Sequence, residues 1–330
     1  MIVKKLTDFR VPAEWEPQEA VWLSWPVSDH IWPSARQEIW KCFATLAALM
    51  ARYQRVRINA DPAAHNLILQ QLKEAKADLD EIELYPHTTD DVWCRDHGPV
   101  WLKNTNTGEV AISDWKFNAW GGKFEPYKRD DQVPQSMAKS LDLHAFPRKE
   151  VLEGGAIEVN GEGVLLTTEI VMLNRNRGGR VRADWKQALG NALNIKDILW
   201  LGEGLPNDDT DGHIDNIARF FQPNGVLTVE SNGDEELKAN ARRLMARFRD
   251  VVHLPLPEVT INGQLVPASY ANFVILNGAV IVPTFGVSQD EKALDIIKTA
   301  FPGRKVAGFG SRLLLEEGGA VHCLTSNQPQ

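Results

Sequence analysis

Four stretches of this chain read as the same hairpin at nearly constant spacing. His97–Ile112, Gly155–Thr168, His213–Val229 and Tyr270–Pro283 each run strand, glycine-bearing turn, strand. Apolar, alternating residues on either side of such a turn are the hairpin signal. The units start at about 98, 154, 212 and 270, in steps of 56, 58 and 58 residues. Between them, 39–53, 63–77, 235–248 and 289–300 carry apolar residues at helical spacing. Arg55–Asn59 and Val251–Pro255 read as the strands that follow, so the expected unit is hairpin, helix, strand. Units of this kind cannot bury a face alone and stack around an axis. The last piece, Gly318–Thr325, is half a unit and needs a partner strand, for which Ala20–Pro26 is the candidate. Closing the chain that way brings Cys323 to the centre. On pattern alone, a general α/β fold with unrelated hairpins stays open.

The 330 residues are 43% hydrophobic and 24% charged, enough apolar chain for a full core. No linker, low-complexity tract or charge block divides them, so one domain over 1–330 is expected. A net charge of -8 repels nucleic acid and anionic membranes and favours cationic ligands. Three scattered cysteines, Cys42, Cys94 and Cys323, make neither a disulfide framework nor a zinc site. Met1–Asp8 lacks the apolar core of a leader, and no apolar run approaches a membrane span. A cytoplasmic enzyme with reduced thiols is the expectation.

The chemistry-bearing residues sit near the unit starts. Cys42 lies in an apolar helix and reads as inert core, Cys94 is ambiguous, and Cys323 follows Gly318 and Gly319, which admit close approach of a ligand or backbone. By position alone, a structural cysteine remains the commoner reading even there. His322 would point to the opposite face of a strand from Cys323, so it reads as a packed or surface histidine. His213 and Asp215, two apart in a strand, would share a face. They suit a metal, an acid/base pair or a solvated edge, and no third ligand argues for the metal. Asp96, before Gly98 and Pro99, reads as an acid exposed at a turn, and Trp93 could stack on a flat cation. Glu153 precedes Gly154 and Gly155, again a carboxylate beside a close-approach turn. Together these make a nucleophile, an acid/base and a cage for a cation, and a guanidinium fits best.

Glu19–Pro26, Trp93–Pro99, Leu152–Glu169, Asn207–Asn216 and Gly318–Thr325 carry a resemblance that spans nearly the whole chain. The sequence resembles the agmatine deiminase / bacterial peptidyl-arginine deiminase family, guanidine-modifying enzymes built as a five-bladed pseudo-symmetric α/β propeller (pentein). The resemblance implies that Cys323 attacks the guanidinium carbon while Asp96 and Asp215 hold the guanidinium nitrogens. It implies that His213 protonates the departing ammonia and then activates water, with Glu153 orienting His213 or the substrate. Trp93 would line the channel, Gly319 would admit the substrate, and Asp209 would sit near a distal amine. It also implies a homodimer, no cofactor and no metal. The reaction would convert agmatine to N-carbamoylputrescine and ammonia through a covalent thiouronium, in putrescine synthesis.

The chain departs from the family's usual pattern. Asp209 and Asp211 stand in a motif that often reads Asn-Asp-Glu-Thr-Asn-Gly-His, Cys94 to His97 replaces Met-Arg-Asp-Thr, Ala320 replaces Asn, and Glu316-Glu317 replaces small residues. These leave the substrate tail open between agmatine, free arginine and peptidyl-arginine. The acidic trio Asp208, Asp209 and Asp211 favours an amine. Arg175, Arg177, Arg180 and Arg182 read as a solvated loop. A non-catalytic binding protein, like the ribosome-associated initiation factors of that fold, and a metal hydrolase using His213 and Asp215 are the readings from other classes.

Overall fold

In the computed structural model, which describes residues 6–230 and 233–330, five sheets repeat one connectivity. In the first, Val100–Asn104 pairs antiparallel with Val110–Lys116, which pairs parallel with His144–Val151. The next three repeat that order: Glu158–Val159, Val164–Thr168 and Asp197–Leu201; Ala218–Gln222, Gly225–Glu230 and Asp250–Pro255; Val274–Ile275, Ala279–Thr284 and Lys305–Gly310. The fifth joins the chain ends. Ser326–Pro329 runs antiparallel to Gln18–Ser24, which is parallel to Arg55–Asn59 and, beyond it, Ile82–Tyr85. The expected N-terminal partner is the observed one, although the pairing strand starts just after Gly318–Thr325. Residues 1–5, read above for leader character, lie outside the described residues.

A parallel step needs a crossover, and a helix supplies each one. The crossover helices are Arg36–Met50, His65–Glu74, Val133–Ser140, Arg182–Leu193, Glu235–Arg247 and Asp290–Ala300. Asp234 starts one of them by accepting from the backbone N–H of Glu236 and Leu237, which satisfies two of the free donors at a helix start. The middle strands are apolar because they lie between neighbours and under a helix. Val280, Ile281 and Val282 are fully buried, as are Leu165 and Leu166. Helices Val133–Ser140 and Arg182–Leu193 went unread in the sequence, their apolar stripes being short and interrupted by polar residues. The result is a mixed α/β fold. Among the described residues no helix is long and apolar enough to cross a membrane.

The closing strand is held by side chains as well as by its ladder. Gln328 Oε1 accepts from Trp22 Nε1 at 2.9 Å and from Arg57 Nη1 at 2.7 Å, and Trp101 Nε1 donates to Ser326 Oγ at 2.8 Å. Replacing Gln328 with Ala takes this acceptor from a buried indole and a buried guanidinium. The expected loss is about 1–3 kcal/mol of stability, read as a lower urea midpoint.

Candidate functional site

Each unit delivers a polar residue just ahead of its first strand. Asp96 precedes Val100–Asn104, Glu153 precedes Glu158–Val159, His213 and Asp215 precede Ala218–Gln222, Asn272 precedes Val274–Ile275, and Cys323 precedes Ser326–Pro329. Glycine makes their approach possible. A Cβ on Gly155 would lie 2.6 Å from His213 Nδ1, 2.7 Å from Asp96 Oδ1 and 3.2 Å from Asp215 Oδ2. Three functional groups therefore converge on the space left by one missing side chain. Cys323 joins them with Sγ 3.8 Å from Asp215 Oδ2 and 3.0 Å from Asn272 Nδ2.

Local geometry differs from the sequence reading at three places, while the convergence holds. Asp96 is not exposed at a turn. It lies in a single helical turn, Cys94–His97, and is buried, accepting from Gly155 N at 2.9 Å and Trp120 Nε1 at 2.9 Å. His213 and Asp215 are not on a strand, because Ile214–Asn216 forms a 3-10 turn that begins after His213 and aims both inward. Val321–Leu324 is also turn, so strand alternation does not apply to His322 and Cys323. Of the packed and surface alternatives for His322 the structure shows the buried one, and the ring bonds Asp215 Oδ2 at 2.7 Å and Glu14 Oε2 at 2.9 Å.

Arg177 is the plainest correction to the solvated-loop reading. It is buried, donates from Nε to Glu153 Oε1 at 2.9 Å, pairs through Nη1 with Asp211 and donates from Nη2 to the Thr210 carbonyl. Asp211 also binds Lys123 and Asn176, and Asp208 caps Thr210 and reaches Asn216. Of the acidic trio, only Asp209 is left facing the cavity. Glu14, Arg177, Arg219 and Asn272 were missed in the sequence. For Asn272 a signal existed, since it stands at the fourth unit's start as Cys323 stands at the fifth. Glu14 and Arg219 lie in ordinary contexts with no signal of their own.

A cavity of about 440 Å³ leads from the surface to Cys323 and Asp96. Trp93 and Trp120 wall it, and Gly319 lies flat against Trp93, whose ring a Cβ there would overlap. Asp91, Glu125, Asp209, Glu316 and Glu317 also line it, and among the described residues neither Lys nor Arg does. His213, Asp215 and Glu153 are fully buried and lie outside that lining. Among the described residues neither His213 ring nitrogen has a hydrogen-bond partner, nor do Glu153 Oε2 and Asp215 Oδ1, while His213 Nδ1 is 3.5 Å from Asp96 Oδ1. No cluster of metal-holding side chains occurs among the described residues.

The electrostatics are those of a cation site. Burial pushes the Asp96 carboxyl up, His213 opposes this and Asp215 adds to it, leaving it at about 6. Burial also pushes Asp215 up, but the bond from His322 and the charges of His322, His213 and Arg219 outweigh it and leave Asp215 below its usual value. The Cys323 thiol is pushed well above its ordinary value by burial, then by Asp215 and Asp96, with the N–H of Ala320 and the Asn272 amide opposing. A positive group between the two carboxylates would relieve all of this strain at once.

Gly155→Ala tests the convergence. The added Cβ separates His213 from Asp96, and misplacing reacting groups by about 1 Å lowers rates on the order of 100-fold. Loss of turnover with an unfolding midpoint near that of the parent is the expected outcome.

The profile of the Porphyromonas-type peptidyl-arginine deiminase family matches residues 10–329. An agmatine deiminase of Ectopseudomonas mendocina (strain ymp) is 36% identical, with 97% of this chain and 95% of that protein covered. The structure of an agmatine deiminase of Enterococcus faecalis catalysing its reaction superposes with a TM-score of 0.92 at 29% identity, covering 100% of this chain and 99% of that one. A cysteine-to-serine variant of C. jejuni agmatine deiminase with substrate bound gives 0.88 at 29% identity, over 98% and 96% of the two chains. With a family profile spanning nearly all of its length and relatives above 30% identity over almost the whole sequence, this chain belongs to the Porphyromonas-type peptidyl-arginine deiminase family.

Proposed function

We propose that this protein is an agmatine deiminase, a hydrolase of the amidine C–N bond that converts agmatine and water to N-carbamoylputrescine and ammonium in putrescine synthesis. The acidic cavity carries this reading. Asp91, Asp96, Glu125, Asp209, Glu316 and Glu317 face it, with no Lys or Arg among the described lining residues, so it suits a substrate cationic at both ends. The α-carboxylate of free arginine, or of a peptide ending in arginine, would enter against these acids with no cation to receive it. The close sequence relatives named agmatine deiminase point the same way.

In this reading the substrate guanidinium sits between Asp96 and Asp215, held by charge-assisted hydrogen bonds. Its charge offsets the two carboxylates that keep the Cys323 thiol protonated, and the thiolate forms as substrate binds, its proton passing to His213. The thiolate attacks the guanidinium carbon to give a tetrahedral adduct stabilised by position and charge. His213 gives a proton to the leaving nitrogen, the C–N bond breaks and ammonia departs. His213 then takes a proton from water as the oxygen attacks the thiouronium carbon, the C–S bond breaks to return the thiolate, and the remaining hydroxyl proton leaves to solvent, where it converts the released ammonia to ammonium. Glu153, fixed by Arg177 on one oxygen, offers the other to His213 or the substrate. Trp93 and Gly319 shape the channel, and Asp209 faces the distal amine. The reaction calls for no cofactor or metal.

The five repeated sheets support a five-bladed pseudo-symmetric propeller acting as one catalytic domain over 1–330. A cytoplasmic homodimer is the state we assign to it, by the family resemblance.

Ammonia release from agmatine, free arginine and a peptide ending in arginine tests the substrate. Turnover of agmatine is expected to dominate, and Cys323→Ala is expected to lower it by about 1,000-fold or more. Preference for arginine or the peptide would overturn the substrate and keep the chemistry. The pH profile tests the cation site. Asp96 must be ionised to hold the guanidinium, and its carboxyl lies near 6. Protonation below that value removes one counter-charge, so kcat/KM should fall as pH drops through about 6. A kcat/KM that stays flat down to pH about 4.5 would remove Asp96 from the binding role.

A further inference from the structure

The sequence reads His322 as a packed or surface histidine, and the structure gives it two charged partners. Its Nδ1 lies 2.7 Å from Asp215 Oδ2 and its Nε2 lies 2.9 Å from Glu14 Oε2. Both oxygens belong to carboxyls held below their usual range. Burial pushes Glu14 up, but Arg219, His322 and Arg95 together hold it far down, and Asp215 is lowered as described. A carboxylate oxygen faces each ring nitrogen, and an ionised carboxylate only accepts, so this geometry suits a ring that donates from both.

The charges around it agree. Glu14 Oε2 lies 3.0 Å from Arg219 Nη2 and 3.3 Å from Arg95 Nη2, and Arg219 Nε lies 2.9 Å from Glu158 Oε2. Asp215, Glu14 and Glu158 thus face Arg219, Arg95 and His322, three negative groups against three positive. A neutral ring would leave one buried negative charge uncompensated. The other titratable groups facing Asp215 are His213, Asp96 and Cys323. The ring's aim is fixed by its backbone. The His322 N–H donates to Asn272 Oδ1 at 3.0 Å, and the His322 carbonyl accepts from Thr325 N at 2.9 Å. With Oδ2 taken by His322, Asp215 keeps Oδ1 without a partner among the described residues.

We propose that His322 is a positioning residue, an imidazolium clamped between Glu14 and Asp215 that keeps Asp215 ionised and turns its free oxygen toward the substrate guanidinium. This rests on the reading of the site as a guanidinium site and deepens it. His322 itself touches no reacting atom in this scheme.

Two isosteres separate this role from packing. The amide nitrogen of His322→Asn falls where Nδ1 donates to Asp215, and that of His322→Gln where Nε2 donates to Glu14. Both remove the positive charge, so the Asp215 carboxyl rises in each. Asp215 binds the cation only when ionised, and as its carboxyl rises toward that of Asp96 it adds a second proton uptake to the limb Asp96 sets near 6, so the acidic limb of binding and of kcat/KM should steepen and move to higher pH in both. His322→Gln should also weaken guanidinium binding by about tenfold or more, because the charge-assisted bond to Asp215 is lost. His322→Asn should recover a clear part of that loss.

Calorimetric binding of the guanidinium ion across pH, on a Cys323→Ala background with and without each His322 change, reads this without turnover. Thermal unfolding of each variant is measured alongside. Equal losses in both variants that track their unfolding temperatures, with an unmoved acidic limb, would overturn the proposal, as would two variants that bind like the parent. If the unmodified enzyme releases no ammonia from agmatine while guanidinium binding follows the expected order, the substrate reading fails and the role of His322 stands.

Discussion

Buried negative charge is the constraint to which the rest of this structure answers. Asp96, Glu153, Glu158 and Asp215 are all nearly inaccessible to water. An ionised carboxylate removed from solvent is costly unless it is paired and hydrogen-bonded. The fold meets that demand by drawing partners from distant parts of the chain. Arg177 covers Glu153, and Arg219 joins Glu14 to Glu158. Trp120 and the Gly155 N–H serve Asp96. These bonds span sheets as well as filling the site, so the scaffold and the chemistry share the same contacts. Among the described residues at the site, Asp215 Oδ1, Glu153 Oε2 and both His213 ring nitrogens keep no hydrogen-bond partner, and a bound cation would bring donors to the carboxylates.

Hairpins and their spacing were legible because they depend on local rules. A glycine-bearing turn between alternating apolar runs has few other outcomes. The site was legible by the same route, since its members stand at unit starts. Asn272 belongs to that series and could have been found from the offset alone. Orientation was not legible. His213 and Asp215 reach the same space from a 3-10 turn, where strand alternation gave the right convergence through the wrong geometry. His322 was dismissed by that alternation, and the turn at Val321–Leu324 removes its premise.

The ion pairs escaped for a different reason. Arg177 and Glu153 are 24 residues apart and Glu14 and His322 are 308 apart. No local pattern marks such pairs, because each residue alone looks like ordinary surface charge. Only the packing of the units shows that Arg177 points inward. The same packing leaves Asp209 as the member of its acidic trio that faces the cavity, while Asp208 and Asp211 hold the loop that presents it. Acidic composition was therefore a fair guide to the sign of the ligand and a poor guide to which residue meets it.

In the proposed reaction the same electrostatics order the events. A thiol beside two carboxylates in a dry site stays protonated, and a protonated thiol is a poor nucleophile toward any passing electrophile. Cys323 is in that state until a cation arrives, with burial, Asp215 and Asp96 all acting to hold its proton. A guanidinium reverses two of the three influences simply by occupying the space between the carboxylates. Charge recognition then precedes nucleophile formation, and a neutral ligand of the same shape would bind without arming the cysteine. Selectivity for a cation is in this way built into reactivity as well as into affinity, which is the more demanding form of discrimination because it acts on the transition state.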